Sequence, residues 1–245
     1  MIKIKTDWPR RIACITSETT EIVYALGAGD RVIGVSGYSV RPEEAREKPK
    51  VSSFTSLRMD KIRELKPDLI LGFSDLQKDM ARELIAEGYP VFISNQRSLD
   101  EIADMIAATG RLIGCVKEGE KLRQSFLEEL DRLSKSCVKA RAKVYFEEWD
   151  DPLISGIRWV SELIERFGGQ DIFSEKSLHK TAKHRTVQPE EVVAANPDIL
   201  VASWCGKKVN FDRIRQRPDW EKIGAPVVSD HRARRAASTD KGRQR

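Results

Sequence analysis

Short apolar stretches and longer amphipathic stretches alternate along the chain, which is typical of a fold in which strands and helices follow one another. The segment 68–72, DLILG, is apolar at successive positions, as in strands of parallel sheets that helices cover on both faces. The pattern predicts strands at 11–15, 32–35, 68–72, 91–94, 143–146 and 198–202. Helices are predicted at 17–26, 56–65, 78–87, 153–167 and 188–195, and from position 98 onward.

One further predicted helix is longer than the others. Between positions 116 and 143 the apolar residues lie on one stripe of this helix: Leu122, Phe126, Leu130 and Leu133. Charged residues fill the opposite face. About 25 residues of helix would span roughly 37 Å at a rise of about 1.5 Å per residue. We therefore expect one rigid helix to join the two halves of the chain.

A helix, a Pro-Asp pair and a strand occur twice in the same order. Positions 66–75 have the sequence KPDLILGFSD, and positions 196–205 have NPDILVASWC, an offset of 130 residues. A strand, a helix and a glycine stop precede both copies, so we expect a duplicated α/β unit. Each copy ends in an aromatic residue, Phe73 or Trp204, near the carboxyl end of its strand, where open α/β sheets bind ligands.

These patterns predict an α/β fold of two Rossmann-like lobes joined by one long rigid helix, with a ligand cleft between the lobes. The first lobe is expected at 10–113, the connecting helix at 114–140 and the second lobe at 141–229. The segment 230–245 has six Lys or Arg and two Asp without apolar periodicity, and we expect a disordered basic tail there.

Composition and charge exclude several classes of protein. Hydrophobic residues make up 40% of the 245 positions and charged residues 33%, as in ordinary globular proteins. Apolar runs are too short to insert into a membrane. The formal net charge of +5 comes mostly from the basic tail, so it does not indicate a nucleic-acid binding face. The first residues contain no apolar run of signal-peptide length, which predicts either a cytoplasmic chain or a missing leader.

Aromatic residues near the predicted strand ends suggest a binding site for a flat, bulky ligand. Tyr38, Phe54 and Phe73 belong to the first lobe. Trp149 and Trp204 belong to the second, and Trp149 is the strongest candidate because it follows a strand within the charged sequence EEWDDP. Core packing is the competing interpretation for each of these rings.

Other candidates for chemistry are few. The sequence FEEWDD offers four carboxylates, but neighbouring residues of an extended strand point to opposite faces, so no catalytic acid–base pair is predicted. His184 lies in a polar loop before a helix, either on the surface or lining the cleft. Signature motifs of nucleophilic, nucleotide-binding and zinc enzymes do not occur. Four well-separated cysteines predict free thiols rather than a metal site.

Asp60 and Glu190 occupy matching positions in the two copies, each at the start of the helix that precedes Pro-Asp. The helix dipole favours a carboxylate in a first turn. Two equivalent acids on two related lobes also suit a symmetric contact with a partner.

The order of these segments resembles that of the substrate-binding proteins of ABC importers for vitamin B12, haem and iron siderophores. The resemblance covers roughly residues 10–228, and the stretches that carry it are TSETTEIVYALGAGDRVIGVSGYS, VSSFTSLRMDKIRELKPDLILGFSD, EEWDDPLISGIRWVSELIERFGGQDIF and VQPEEVVAANPDIL. It implies a monomeric binding protein without catalytic activity or intrinsic cofactor, located in the periplasm.

The cobalamin-binding branch of this family is the most similar. The residues that the resemblance implies as contacts to a corrinoid or similar metal chelate are Tyr38, Phe54, Phe73, Trp149, Trp204 and the region of His184. By the same resemblance, Asp60 and Glu190 match the two acids that dock such proteins onto arginines of the membrane permease.

Two alternatives stay open. A haem or ferric-siderophore carrier would share the fold, and for haem Tyr38 and His184 are the candidate axial ligands. A cytosolic enzyme or chaperone for tetrapyrroles would suit a chain without a leader, with Cys205 close to two lysines that lower a thiol pKa. The chain also departs from the family: Asp60 stands where glutamate is usual, and a basic segment stands where a further strand and helix are expected.

Overall fold

Helices alternate with the strands of two β-sheets through the described chain, which comprises residues 8–137 and 141–229. The computed structural model divides into two units. The first takes up the residues to Gln96 together with Asp100–Glu129, and the second takes up Arg97–Leu99 and the residues from Leu130 onward. The predicted α/β class is confirmed. The predicted basic tail at 230–245 lies outside the described residues.

The first unit contains a five-stranded parallel sheet. Its strands are β1 (Ile12–Cys14), β2 (Val32–Ser36), β3 (Lys50–Ser52), β4 (Leu69–Phe73) and β5 (Val91–Ser94). They lie in the order β3-β2-β1-β4-β5. The helices of this part of the chain are α1 (Ser17–Ala25), α2 (Met59–Leu65), α3 (Lys78–Ala86), α4 (Leu99–Leu112) and α5 (Val116–Ser136).

Successive residues of the central strands pack on opposite faces of this sheet. On one face, Ile12 and Cys14 belong to a buried cluster with Val23 of α1. On the other face, Ala13 belongs to a second buried cluster with Ile62 of α2. Burial on both faces explains why the strand sequence DLILG is apolar at successive positions.

The second unit contains a five-stranded sheet of mixed direction. Its strands are β6 (Lys143–Asp150), β7 (Leu153–Ser155), β8 (Gln170–Asp171), β9 (Ile199–Ala202) and β10 (Val227–Ser229). They lie in the order β10-β9-β6-β7, and β8 also pairs with β6. Only the β6–β7 pair is antiparallel among the described strands. The helices are α6 (Arg158–Arg166), α7 (Ser174–Ser177), α8 (Pro189–Ala195) and α9 (Phe211–Arg215).

The helix predicted over 153–167 is wrong at its start. Leu153 pairs with Asp150 of β6, so these first residues form the edge strand β7. Leu153 and Ser155 are buried while Ile154 is partly exposed, and this alternation with a period of two is the pattern of a strand. Gly156 follows, and α6 begins only at Arg158.

The long helix is shorter than the sequence predicts. α5 runs over Val116–Ser136, 21 residues, which corresponds to about 31 Å at a rise of about 1.5 Å per residue. Positions 138–140 lie outside the described residues. The division between the two units falls within α5, between Glu129 and Leu130. Neither α5 nor another helix of the described ranges combines the length and apolar composition of a membrane span.

The repeated Pro-Asp pair marks the same local structure in both units. α2 is followed by a left-handed residue, Lys66 with φ 47°, and α8 by Asn196 with φ 46°. A left-handed residue turns the chain away from the helix. The next residue, Pro67 or Pro197, lacks the N–H that another helical turn would need. Each helix therefore stops for local reasons.

The aspartate of each pair joins the start of one strand to its neighbour. The Asp68 carboxylate accepts hydrogen bonds from the backbone N–H groups of Arg10 (3.0 Å) and Arg11 (2.9 Å), just before β1. The Asp198 carboxylate accepts one from the N–H of Lys143 (2.7 Å), at the start of β6. Because β4 lies beside β1 and β9 beside β6, each Pro-Asp clamp, as we call this arrangement, aligns two central strands.

Removing a clamp carboxylate should destabilise the protein. We expect Asp68→Ala and Asp198→Ala each to lower the free energy of unfolding by about 1–3 kcal/mol, because backbone N–H groups lose a charged acceptor. Asp79→Ala is the control, since Asp79 makes only a surface ion pair with Arg82 (3.7 Å) and should cost less than about 1 kcal/mol. Chemical denaturation of the three variants measures these losses, and equal losses would contradict the clamp.

Candidate functional site

Three aromatic side chains lie at the carboxyl ends of strands in the first unit. Tyr38 follows β2 and is 52% exposed, and Phe54 follows β3 and is 39% exposed. Phe73 is the last residue of β4 and is half-buried. Because these strands are parallel, the three residues belong to the same edge of the sheet. This is the edge at which open α/β sheets bind ligands.

Two exposed aliphatic residues at the same edge escape the sequence analysis. Val40 lies in the loop after β2, and Leu76 lies in the 3₁₀ turn after β4 and is 56% exposed. The signal for Leu76 is a single aliphatic residue within the polar sequence SDLQKD that follows a strand. We refer to Tyr38, Val40, Phe54, Phe73 and Leu76 as the apolar edge.

A buried carboxylate organises the second unit where β6 lies beside the end of β9. Glu147 is fully buried and accepts hydrogen bonds from Arg217 Nη1 (2.5 Å) and Nη2 (3.0 Å). It also accepts one from the indole N–H of Trp204 (2.8 Å). The Arg217 guanidinium in turn lies 4.4 Å from the centroid of the Trp220 ring. The buried charge is thus paired and hydrogen-bonded, as burial requires.

Trp204 lies in the core of the second unit. It is 6% exposed and belongs to a cluster with Tyr145 and Leu200. Burial, and then the negative charge of Glu147, raises the pKa of the Tyr145 phenol well above its ordinary value. Trp204 lies past the end of β9, whereas Phe73 is the last residue of β4, so the two repeat aromatics are not equivalent in position. A ligand contact by Trp204 stays a prediction.

The Trp149 ring is held by two contacts. Its indole N–H donates to the backbone oxygen of Asp151 (2.9 Å). The Lys207 ammonium lies 4.0 Å from the ring centroid of Trp149 and 5.1 Å from that of Trp204, and it is ion-paired with Asp150. The cation–π contact covers one face of Trp149. These two contacts fix the orientation of the half-buried ring.

The other carboxylates of the sequence FEEWDD are also paired. Arg213 lies 2.9 Å from Asp150 and 3.2 Å from Asp151. Arg185 is buried and donates two hydrogen bonds to Glu148, at 2.6 and 3.1 Å. Each of the four carboxylates thus faces a basic side chain.

His184 lies on the surface of a turn that is anchored from within. Its Nδ1 is 3.0 Å from Thr181 Oγ1, and its ring centroid is 5.7 Å from that of His179. The next residue, Arg185, donates to the backbone oxygen of Ser155 (2.6 Å) and so ties the turn to β7. The turn is held in place while the His184 imidazole remains exposed to solvent.

Asp60 and Glu190 are structurally equivalent. Each is the second residue of its helix, α2 or α8, and each is exposed. Arg58 lies 3.6 Å from Asp60 at the surface. In α8, Gln188 and Glu191 form a capping box, and the Gln188 N–H lowers the pKa of Glu191. The Gln188 side chain accepts the N–H of Glu191, and the Glu191 carboxylate accepts the N–H of Gln188, so Glu190 takes no part in the capping box.

The described residues, 8–137 and 141–229, contain no group of three His, Cys, Asp or Glu side chains that could hold a metal ion. Cys14 and Cys115 are buried, and Cys137 and Cys205 are exposed. Burial raises the pKa of the Cys14 thiol to about 12, so this thiol stays protonated and unreactive at neutral pH.

Known proteins resemble the chain over most of its length. The sequence model of a family described as periplasmic binding protein matches residues 12–227. The vitamin B12-binding protein of Vibrio parahaemolyticus serotype O3:K6 is 29% identical in an alignment of 223 positions, which covers 86% of this chain and 80% of that protein. These matches confirm the resemblance noted in the sequence.

Solved structures of periplasmic binding proteins also match most of the chain. The crystal structure of the periplasmic vitamin B12 binding protein BtuF of Vibrio cholerae is 26% identical, with a TM-score of 0.66 over 95% of this chain and 86% of that one. A possible iron-binding, periplasmic solute-binding protein of Staphylococcus epidermidis has a TM-score of 0.75 over 91% of this chain and 90% of that one. At 23% identity it shows the shared fold alone.

Removing Arg217 should reveal the cost of the buried Glu147 carboxylate. We expect Arg217→Met to lower the free energy of unfolding by about 3–5 kcal/mol, because a buried charge loses its partner. In a Glu147→Gln background the same change should cost less, since the charge is already gone. Denaturant unfolding of the wild type, both single variants and the double variant measures this coupling.

The matched control for this cycle is Arg158→Met. Arg158 makes an exposed ion pair with Glu162 (2.8 Å), so its loss should cost less than about 1 kcal/mol. Losses of Arg217→Met and Glu147→Gln that simply add up would show that the two side chains do not depend on each other.

Proposed function

Because the chain belongs to the periplasmic binding protein family, we propose that it is the substrate-binding component of an ABC importer and binds a corrinoid such as cobalamin, or a similar metal chelate. The observation that carries the proposal is the exposed apolar edge in a chain that matches a vitamin B12-binding protein over 86% of its length. By this proposal the protein works as a monomer in the periplasm, without an intrinsic cofactor, and presents its ligand to a permease.

The chemistry of the apolar edge suits a large, flat ligand. Large apolar side chains that stay exposed together mark surfaces that a ligand or partner covers. Covering them yields about 25 cal/mol for each Å² of apolar surface removed from water. A metal chelate already carries its own metal ligands, so aromatic rings and a few polar groups are enough to bind it.

We propose the following division of roles among the predicted residues. Tyr38, Phe54 and Phe73 contact the apolar face of the ligand. Trp149 offers the ring face that Lys207 leaves uncovered. The exposed turn at His184 adds a polar contact. Trp204 acts through Lys207, because its ring is buried in the core.

A haem or ferric-siderophore carrier is the second candidate. Tyr38 and His184 favour it, because both side chains are exposed and both residue types serve as axial ligands of haem iron. Calorimetric titration of the purified chain with cyanocobalamin, haemin and a ferric siderophore separates the candidates. One-to-one binding of cyanocobalamin at micromolar affinity or tighter supports the first proposal. Binding of haemin or the siderophore alone supports the second, and binding of none contradicts both.

Trp149→Ala should weaken binding of the ligand by about tenfold or more, as for a buried aromatic contact. Trp8→Ala is the matched control, because Trp8 is 55% exposed but precedes β1, at the amino edge of its sheet. Calorimetry under the conditions of the wild-type titration measures both affinities. If Trp149→Ala binds with an affinity within twofold of the wild type, Trp149 does not contact the ligand, and the proposal loses its main contact from the second unit.

The exposed acids should act on delivery and not on ligand binding. Exposed charge pairs mainly set orientation and association rate. We therefore expect Asp60→Lys and Glu190→Lys to keep wild-type ligand affinity but to reduce uptake of labelled ligand by cells that depend on this protein. Glu64→Lys reverses another exposed charge of α2 and should leave uptake unchanged. Equal uptake by all three variants would contradict permease docking through Asp60 and Glu190.

A further inference from the structure

A fully buried amide lies directly behind the apolar edge. Gln77 ends the 3₁₀ turn Asp75–Gln77 that follows β4, and it is 0% exposed. Its Oε1 accepts a hydrogen bond from the N–H of Phe73 (3.2 Å), and its Nε2 donates to the backbone oxygens of Phe54 (3.1 Å) and Ile15 (3.4 Å). One side chain thus joins the backbone at the ends of β1, β3 and β4.

These bonds link strands that the sheet itself keeps apart. In the order β3-β2-β1-β4-β5, two strands lie between β3 and β4, so ladder hydrogen bonds do not connect Phe54, two residues after β3, to the end of β4. The Gln77 amide makes that connection. Its other bond, to Ile15, adds to one that the Ile15 oxygen already receives from Ser52 Oγ (3.1 Å).

The surroundings of Gln77 are shaped for it. A Cβ atom on Gly72 would lie 2.6 Å from Gln77 Oε1 and 2.6 Å from Ile93 Cδ1, so only glycine leaves room for the amide. Ser74, between β4 and the turn, has φ 83°, a conformation that is strained for a residue with a side chain. The same turn places Leu76 outward at the apolar edge.

We infer that Gln77 is a positioning residue for ligand binding, which it supports by holding the backbones of Phe54 and Phe73 in fixed positions relative to each other. This inference rests on the proposed function of the apolar edge. An aliphatic residue could fill the same core position without the cost of burying an amide. The amide instead satisfies two backbone groups that belong to the proposed contact residues.

Gln77→Met tests the inference, because it keeps the volume of the side chain and removes all three hydrogen bonds. We expect the variant to bind cyanocobalamin about tenfold more weakly than the wild type. We also expect Phe54→Ala to weaken binding less in the Gln77→Met background than alone, because the ring is already displaced. Gln77→Leu removes the same bonds and replaces the methionine variant if that one does not fold.

A local readout and a stability control accompany the titrations. The amide proton of Phe73 should exchange with solvent faster in Gln77→Met than in the wild type, because it loses its acceptor. Leu84→Val removes a methylene from the buried core of the same unit and should leave affinity within twofold of the wild type.

The outcomes separate this inference from the proposed function. A wild type that binds none of cyanocobalamin, haemin and a ferric siderophore overturns the proposed function and the inference with it. If the wild type binds one of them, that ligand is the probe. Wild-type affinity in folded Gln77→Met, or a loss no larger than that of Leu84→Val, then overturns the inference alone. A tenfold loss with a subadditive Phe54→Ala effect supports it.

Discussion

Parallel pairing gives a sheet two unlike edges, because all strands that run in one direction end on the same side. In the first unit the loops after β2, β3 and β4 gather at the carboxyl edge, where they carry the apolar edge. The amino edge is bound by backbone and carboxylate hydrogen bonds at Asp68. β6 and β9 follow the same rule in the second unit, with the antiparallel β7 added beside them.

In each unit a fully buried polar side chain supports proposed ligand contacts, and the two units use different chemistry. In the first unit the neutral amide of Gln77 satisfies backbone groups. In the second, the Glu147 carboxylate needs the Arg217 guanidinium and the Trp204 indole, because a buried charge demands a counter-charge as well as hydrogen bonds. Burying a neutral amide costs less desolvation free energy than burying a charge. In a buried ion pair, replacing either partner is strongly destabilising because the other charge is left unpaired.

The order of helices and strands could be predicted from the sequence, because local signals determine it. Features that depend on contacts between distant positions could not be predicted. Pro67 and Pro197 mark helix stops whatever surrounds them, and the run DLILG reveals a two-faced strand. The edge strand β7 depends on its pairing with β6, so its three residues resembled the start of a helix. Likewise, Gln77 meets Phe54 across 23 positions and Arg217 meets Glu147 across 70, which no local pattern records. The burial of Trp204 likewise depends on a distant contact, its hydrogen bond to the same Glu147 carboxylate.

The Pro-Asp clamps have a consequence for how such a protein changes over time. They use only the helix end, the aspartate and backbone at the start of the neighbouring strand, all at the amino edge of the sheet. Substitutions of exposed residues in the loops at the opposite edge, such as Leu76, therefore leave the clamps intact. Selection can retune the chemistry of those loops for another cargo while the scaffold is inherited unchanged.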